Sequence, residues 1–241
     1  NEKETANLEL ALESAKDIEL SVVRPPVLTI TTKKEKMDPY KQDVIILYKM
    51  KKNELVPGTF EDIENYAKNG GNLIIAAQDD LNEFNTKDAN VVELKSRINK
   101  PTKICVDTVN QITKQFEKER CFTTTASYFG AEARKGAIVF ASADDKTPLI
   151  VYGGKEKGRV AYYGILDDIS DFKTLPSYPI FWSSLINFMV GAEDIKDYNH
   201  KTGKIFTIGE QKVKTPSSTI TTSKLLMDEV GIYEFDKKKF A

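Results

Sequence analysis

The sequence is poor in the residues that most enzymes and metalloproteins use for chemistry. Its 241 residues include one histidine (His200), two cysteines (Cys105 and Cys121) and one tryptophan. Neither cysteine lies in a C-x-x-C pair, and two cysteines with one histidine at these spacings do not form a zinc site. We interpret both cysteines as unpaired structural residues. A disulfide between them stays open as the alternative, because a sequence does not reveal its geometry.

The sequence also lacks an excess of charge and a long hydrophobic run. Its 35 basic and 36 acidic residues give a formal net charge of −1, so no overall field attracts nucleic acid or anionic lipid, and we expect no nucleic-acid partner. No segment reaches the roughly 18 consecutive apolar residues of a membrane helix, and no signal peptide is visible. Because the chain opens on Asn1 and ends on a strand-like "KKKFA", we expect a fragment of a larger protein.

The clearest pattern in the sequence is a strand, a helix and a second strand. The runs "DVIILY" (43–48) and "NLIIAA" (72–77) are typical of strands that are covered on both faces of a parallel sheet. The segment between them predicts a helix with Thr59 as its N-cap and Gly70 in a left-handed C-cap. This order indicates a βαβ unit.

The flanking segments predict the remaining organisation. We expect a helix over 7–16 and a strand over 18–23, then, beyond the βαβ unit, a less regular middle over 81–125 in which 91–94 and 103–109 could form strands or short helices. From Gly136 the pattern is rich in strands, and "PIFWSSLINFMV" (179–190) predicts a core helix that is too short to span a bilayer. Short β-like pieces follow Gly191. We therefore predict an α/β domain over residues 1–195 and a β-rich appendage over 196–241, which reads as the start of a further domain.

Two stretches carry a resemblance to a known family. "YKQDVIILY…VPGTFEDIENYAKNGGNLIIAAQDD" resembles the class I glutamine-amidotransferase-like fold, and "GRVAYYGI" followed by "SYPIFWSSLINF" is similar to the version in prokaryotic aerotolerance (Bat)-type membrane proteins that carry von Willebrand factor A modules. The resemblance covers about residues 5–241. It implies an α/β, flavodoxin-like, three-layer sandwich with a small C-terminal β appendage. It also implies a strand before the first helix, which this chain lacks.

The resemblance implies a catalytic triad that the sequence does not contain. An active amidotransferase has a cysteine nucleophile at the turn after the strand that ends here at Ala77, and a histidine oriented by a glutamate acts as its base. That turn is Gln78-Asp79-Asp80 in this chain, and the stretch after "RVAYYGI" is Leu166-Asp167-Asp168. We therefore predict a protein that is not an enzyme, with no cofactor and no metal centre.

The acidic residues at these two turns are the candidate ligand-binding residues. In open parallel sheets, ligands bind beyond the carboxyl ends of the strands, so both turns are expected at one edge and could line one cleft. Carboxylates there could act as acid and base or bind a divalent cation. The simpler alternative is that they are solvated loop and helix-cap residues. The candidates are Gln78, Asp79, Asp80, Asp167, Asp168 and Asp171.

Two functions stay open at this point. The first is a non-catalytic interaction module within a larger membrane-linked protein, which binds a protein partner or neighbouring domains and contacts the membrane only through its parent. The second is a binder of a saccharide or a divalent metal, or a hydrolase, that uses the acidic turns. Related folds include sugar-processing members, but only by analogy. The resemblance implies that the parent is a membrane protein and that this part is extracytoplasmic.

Overall fold

A computed structural model describes residues 2–23, 39–52, 55, 57–84, 86, 89–191, 202–235 and 238–240. The chain forms two compact units, Asn1–Gly191 and Ala192–Ala241. The boundary lies four residues before the one expected from the sequence. His200 lies outside the described residues.

A seven-stranded mixed sheet organises the first unit, in the order β1-β2-β9-β8-β7-β4-β5. Strands β1, β2 and β9 run parallel, and each remaining neighbour pair is antiparallel. The strands are β1 (Val44–Leu47), β2 (Asn72–Ala76), β4 (Thr102–Val106), β5 (Cys121–Thr125), β7 (Ile138–Ala143), β8 (Pro148–Lys155) and β9 (Gly158–Tyr163). A separate pair, β3 (Val92–Ile98) and β6 (Tyr128–Ala133), forms a two-stranded antiparallel sheet.

Helices and the β3–β6 pair cover the two faces of the sheet. One face packs against α1 (Glu2–Glu13) and α3 (Ser177–Val190), with Trp182 and Phe181 fully buried between sheet and helix. The other face packs against α2 (Thr59–Lys68) and the β3–β6 sheet through Ile63 and Phe129. The unit is thus the flavodoxin-like three-layer α/β sandwich of the class I glutamine-amidotransferase-like type that the sequence predicted.

The predicted βαβ unit is present as β1, α2 and β2. Gly70 adopts a left-handed backbone (φ 112°) after α2, and the Gly71 N–H closes the helix end on the Tyr66 carbonyl at 3.0 Å. The predicted N-cap was wrong. Gly58, with φ 89°, precedes the helix, and Thr59 is its first helical residue. A glycine tolerates this backbone at little steric cost, so the N-cap position falls on Gly58, which has no side chain to cap the helix.

The expected strand over 18–23 is absent, and the first helix starts earlier than expected, at Glu2 rather than residue 7. Ile18 and Leu20 pack against the core, whereas Val22 and Val23 are exposed. Alternate residues at the start of this segment therefore face the core, but its backbone does not pair with any strand that the structure describes.

The expectation of unpaired cysteines was also wrong. Cys105 on β4 and Cys121 on β5 are register partners, with 3.8 Å between their Cα atoms, and they form a disulfide. The sequence predicted no strand at β5, so nothing indicated that residues 16 positions apart would face each other across two adjacent strands.

The second unit is a small four-stranded antiparallel sheet in the order β11-β10-β12-β13. Its strands are β10 (Lys204–Lys214), β11 (Thr219–Met227), β12 (Tyr233–Phe235) and β13 (Lys238–Phe240). Val213, Leu225 and Tyr233 are buried in its core. The predicted C-terminal β appendage is therefore present, and its first two strands are longer than the short pieces that the sequence suggested.

Candidate functional site

The turn after β2 holds Gln78 where the family resemblance places a nucleophile. Gln78 is buried, and its carboxamide forms a two-way contact with the backbone of Met50. Its Oε1 accepts from the Met50 N–H at 2.8 Å, and its Nε2 donates to the Met50 carbonyl at 2.7 Å and to Asp80 Oδ1 at 2.6 Å. The side chain thus joins the turn after β2 to the segment after β1.

Asp79, the next residue, points away from this contact. Its side chain is 70% exposed and pairs with Arg97 of β3 at 2.7 Å. The Arg97 Nε also donates to the Ser127 hydroxyl at 2.9 Å. Exposed ion pairs of this kind contribute at most about 1 kcal/mol. Asp79 is therefore a surface residue of the β3 side rather than a partner of Gln78.

Asp167, beyond the end of β9, is enclosed by three tyrosines. Its carboxylate accepts hydrogen bonds from the hydroxyls of Tyr48 (2.8 Å), Tyr163 (2.6 Å) and Tyr178 (2.7 Å). We call these four residues the tyrosine cage. Asp167 is 2% exposed. The cage joins the segment after β1, strand β9 and helix α3 around one buried charge.

The electrostatics of the cage follow from its burial. Burial raises the pKa of Asp167 above its usual value, against the lowering effect of the three hydroxyl donors. Burial and then the Asp167 charge raise the pKa values of Tyr48 and Tyr178 well above the usual tyrosine range. The tyrosines therefore stay protonated as hydrogen-bond donors at any physiological pH.

Asp168 and Asp171 have separate partners. Asp168 pairs with Lys49, and more distantly with Lys173 at 3.9 Å. Asp171 accepts hydrogen bonds from the Thr123 hydroxyl and the Thr124 N–H on β5. Partial burial acts to raise the pKa of Asp171, but these hydrogen bonds outweigh it and hold the pKa below its usual value.

One segment that sequence reasoning missed connects both predicted turns. Tyr48, Lys49 and Met50 directly follow β1, and in order they contact Asp167, Asp168 and Gln78. Strand β2 lies between β1 and β9, so this segment must pass the carboxyl end of β2 to reach Asp167. We call residues 48–50 the bridging segment. It connects the two acidic turns that the sequence expectation placed around a cleft.

The backbone of the bridging segment is unusual at its centre. Lys49 has φ 52°, in the left-handed region that residues other than glycine seldom adopt. Its side chain is 13% exposed and ion-paired to Asp168. The only hint of this segment in the sequence is a tyrosine and a lysine directly after an apolar strand. Tyr163 and Tyr178 read as ordinary core aromatics.

The bridging segment contacts three of the predicted candidates, Gln78, Asp167 and Asp168, and Asp80 joins them through Gln78. Asp79 pairs with β3 and Asp171 with β5 instead. In the part of the chain that the structure describes, no group of three or more His, Cys, Asp or Glu side chains could hold a metal ion.

The raised pKa of Asp167 gives a testable pH dependence. A carboxyl whose pKa is higher in the folded protein than its ordinary 3.8 binds its proton more tightly when folded. Its contribution to stability therefore falls as pH rises from the ordinary pKa to the raised pKa of the folded protein. We expect the free energy of unfolding of wild type minus that of Asp167→Asn to decrease as pH rises above 3.8, then level off. Urea unfolding of both proteins across pH measures it. A difference that is constant or grows with pH would contradict the assignment.

Comparison with known proteins agrees with the fold. STM1381, a cytoplasmic protein from Salmonella typhimurium LT2, is similar in structure with a TM-score of 0.62 and 14% identity over 77% of this chain and 86% of its own. STM3548, a cytoplasmic protein from Salmonella typhimurium, has a TM-score of 0.59 and 20% identity over the same shares. At these identities the likeness concerns the fold alone. A beta-galactosidase from Bacillus circulans sp. alkalophilus aligns with 79% of this chain and 31% of its own, at 11% identity and a TM-score of only 0.42.

The first unit has the class I glutamine-amidotransferase-like fold, with no cysteine at the turn after β2 and no histidine at the turn after β9. The chain belongs to the family described as Domain of unknown function (DUF7408), whose model matches residues 1–185. Residues 192–241 match the model of a second family, Domain of unknown function (DUF7406). No curated protein matches the sequence.

Proposed function

We propose that this chain is a non-catalytic, amidotransferase-like interaction module of a larger membrane-associated protein of the Bat type. The bridging segment is the observation that carries the proposal. It bonds to Gln78, where the family resemblance places the nucleophile, and to Asp167, where it places the histidine. Both positions are thus engaged in contacts that join β1, β2 and β9.

The state of the cysteines supports the same proposal. Both cysteines of the sequence lie in the disulfide, so no free thiol is present to act as a nucleophile. Structural disulfides persist mainly in oxidising compartments, which favours an extracytoplasmic position for this part of the parent protein. Among the described residues, no helix is long and apolar enough to cross a membrane. Attachment through the parent protein is part of the proposal.

Release of ammonia from L-glutamine tests the catalytic half of the proposal. We expect the purified protein to release ammonia no faster than buffer, because the turn after β2 carries no thiol and both cysteines are held in the disulfide. The Gln78→Ala variant is the matched control. Hydrolysis by the wild-type protein that disappears in Gln78→Ala would contradict the proposal directly.

Hydrogen exchange tests the interaction half. The exchange of backbone amides is compared between the isolated chain and the full parent protein in membranes. A module that binds a neighbouring domain or protein is expected to gain protection over a contiguous patch of its surface in the parent. Identical exchange throughout in both settings would show that this domain contacts nothing there and would contradict an interaction role.

A further inference from the structure

A concave site lies at the opposite end of the parallel strands from the bridging segment. It is a cavity of about 510 Å³ beside the amino-terminal ends of β1 and β2, and α2 forms one of its walls. The cavity is open to solvent, and its volume falls within the roughly 300–1,000 Å³ of sites for small molecules. Its lining includes Tyr40, Lys41, Asp62, Asn65, Tyr66 and Asn69.

Asp62 and Asn65 of α2, and Asn69 directly after the helix, line the cavity as exposed polar side chains without partners of their own. Asp62, Asn65 and Asn69 stand at positions i, i+3 and i+7, so they share one side of the helix. Among the residues that the structure describes, no side chain or backbone group hydrogen-bonds or ion-pairs with these three side chains. One carboxylate and two carboxamides therefore present both donors and acceptors to the cavity.

Tyrosine rings form the rest of the wall. Tyr66 is buried, and its hydroxyl is held by the Gln42 carbonyl at 2.9 Å and the Asn72 N–H at 3.2 Å. Its ring packs against Gly71 so closely that a Cβ there would overlap it. The Tyr40 ring lies 6.2 Å from the Tyr66 ring and is 38% exposed. The buried Tyr66 ring is thus fixed in the wall, and the exposed part of the Tyr40 ring is the aromatic surface on which a ligand can stack.

The lining chemistry selects a class of ligand. One carboxylate (Asp62) and one ammonium (Lys41) leave no net charge, so neither a phosphate, which favours several cations or N–H groups, nor a polycation is matched. Amides and a carboxylate are poor walls for a purely apolar molecule, because its binding would desolvate them without replacement hydrogen bonds. A sugar fits, because each hydroxyl both donates and accepts and its C–H face can stack on an aromatic ring.

We propose that this cavity binds a neutral saccharide, with Asn65 and Asn69 holding its hydroxyls and Tyr40 stacking against one ring. The site is distinct from the acidic turns at the carboxyl ends of the strands, for which the sequence suggested a saccharide as one alternative. It uses neither Gln78 nor Asp167, so its test is independent of whether the strand-end turns are catalytic.

Isothermal titration with four disaccharides tests the site: cellobiose, maltose, mannobiose and N,N′-diacetylchitobiose. Concentrations reach about 20 mM, so that millimolar dissociation constants are measurable. We expect saturable binding of at least one of them to the wild-type protein. The Asn65→Ala/Asn69→Ala variant is expected to weaken that binding at least about tenfold, through the loss of two amide partners. Tyr40→Ala is expected to weaken it as well, through the loss of stacking.

The matched control is Glu64→Ala/Lys68→Ala, which removes an ion pair at the same i, i+4 spacing on the neighbouring side of α2. Alanine is a good helix former, so both double variants are expected to keep the helix, and thermal unfolding checks this. Binding that survives in the control and falls in the asparagine and Tyr40 variants supports the site. Absence of binding by all four sugars, or equal affinity in the asparagine and control variants, would overturn it.

Discussion

Replacement of Gly158 by alanine is expected to destabilise the first unit by about 3 kcal/mol or more. Gly158 begins β9, and a Cβ there would overlap the backbone carbonyl oxygens of Ala67 on α2 and Gly71 before β2. Those oxygens belong to the backbone, so no side chain can rotate away to make room. To remove this overlap, α2 would have to move away from the sheet, and it would then expose the buried side chains of β2 and β9 that it covers.

Gly154 is the matched control for this substitution. It pairs with Arg159, one residue beyond Gly158, and a Cβ at Gly154 would meet nothing within 4 Å. We expect Gly154→Ala to unfold at the same urea concentration as wild type or slightly higher, because alanine reduces the entropy of the unfolded chain. Unfolding followed by circular dichroism compares the two variants. Equal unfolding midpoints for Gly158→Ala and Gly154→Ala would show that α2 does not pack on β9 as described.

Loss of the disulfide is the second large expected effect. A crosslink that closes a loop of about 15 residues stabilises a protein by about 3 kcal/mol through the unfolded chain. The loop from Cys105 to Cys121 carries Ile112 and Phe116, both buried. Phe116 stacks on Phe122 of β5 with ring centroids 4.1 Å apart. Strand β5 is at the edge of the sheet and, among the strands of that sheet, pairs only with β4. The crosslink therefore attaches this edge strand and the aromatic residues packed on it to the rest of the sheet.

Urea unfolding with and without a reducing agent measures this effect. We expect the reduced protein and Cys105→Ala/Cys121→Ala to lose about 3 kcal/mol, and hydrogen exchange to rise first in β5 and the loop before it. The double variant should be insensitive to the reducing agent, which separates crosslink loss from other effects of the reagent. An oxidised protein that is no more stable than the reduced one would contradict this role.

The sequence predicted those parts of the fold that local patterns specify. The apolar runs before Tyr48 and Gln78, with Gly70 ending a helix between them, were sufficient for β1, α2 and β2. The prediction of a strand over 18–23 was wrong because an alternating apolar pattern indicates which side chains are buried, but not whether a neighbouring strand is present to pair with the backbone. The N-cap at Thr59 failed because a glycine with positive φ preceded it.

The site was harder to predict because its contacts join distant parts of the chain. The sequence identified Gln78 and Asp167 as strand-end residues, but not what they bind. Tyr48 and Asp167 are 119 positions apart, and Met50 and Gln78 are 28 apart. Which groups meet depends on the order in which β1, β2 and β9 lie in the sheet, and that order is set by the tertiary fold.

The most direct test of the structural role of the strand-end turn is the free energy of unfolding of Gln78→Ala. Truncation would leave the Met50 N–H and carbonyl without their partners in a part-buried setting, which is expected to cost about 2 kcal/mol. Asp79→Ala, at the exposed neighbouring residue, is the control and is expected to change stability by less than about 1 kcal/mol. Where a site is strained for function, replacement of its residues can leave the fold as stable as before or more stable, at the cost of activity. A Gln78→Ala protein as stable as wild type or more stable would therefore contradict the account, and a loss of about 2 kcal/mol is the result that it predicts.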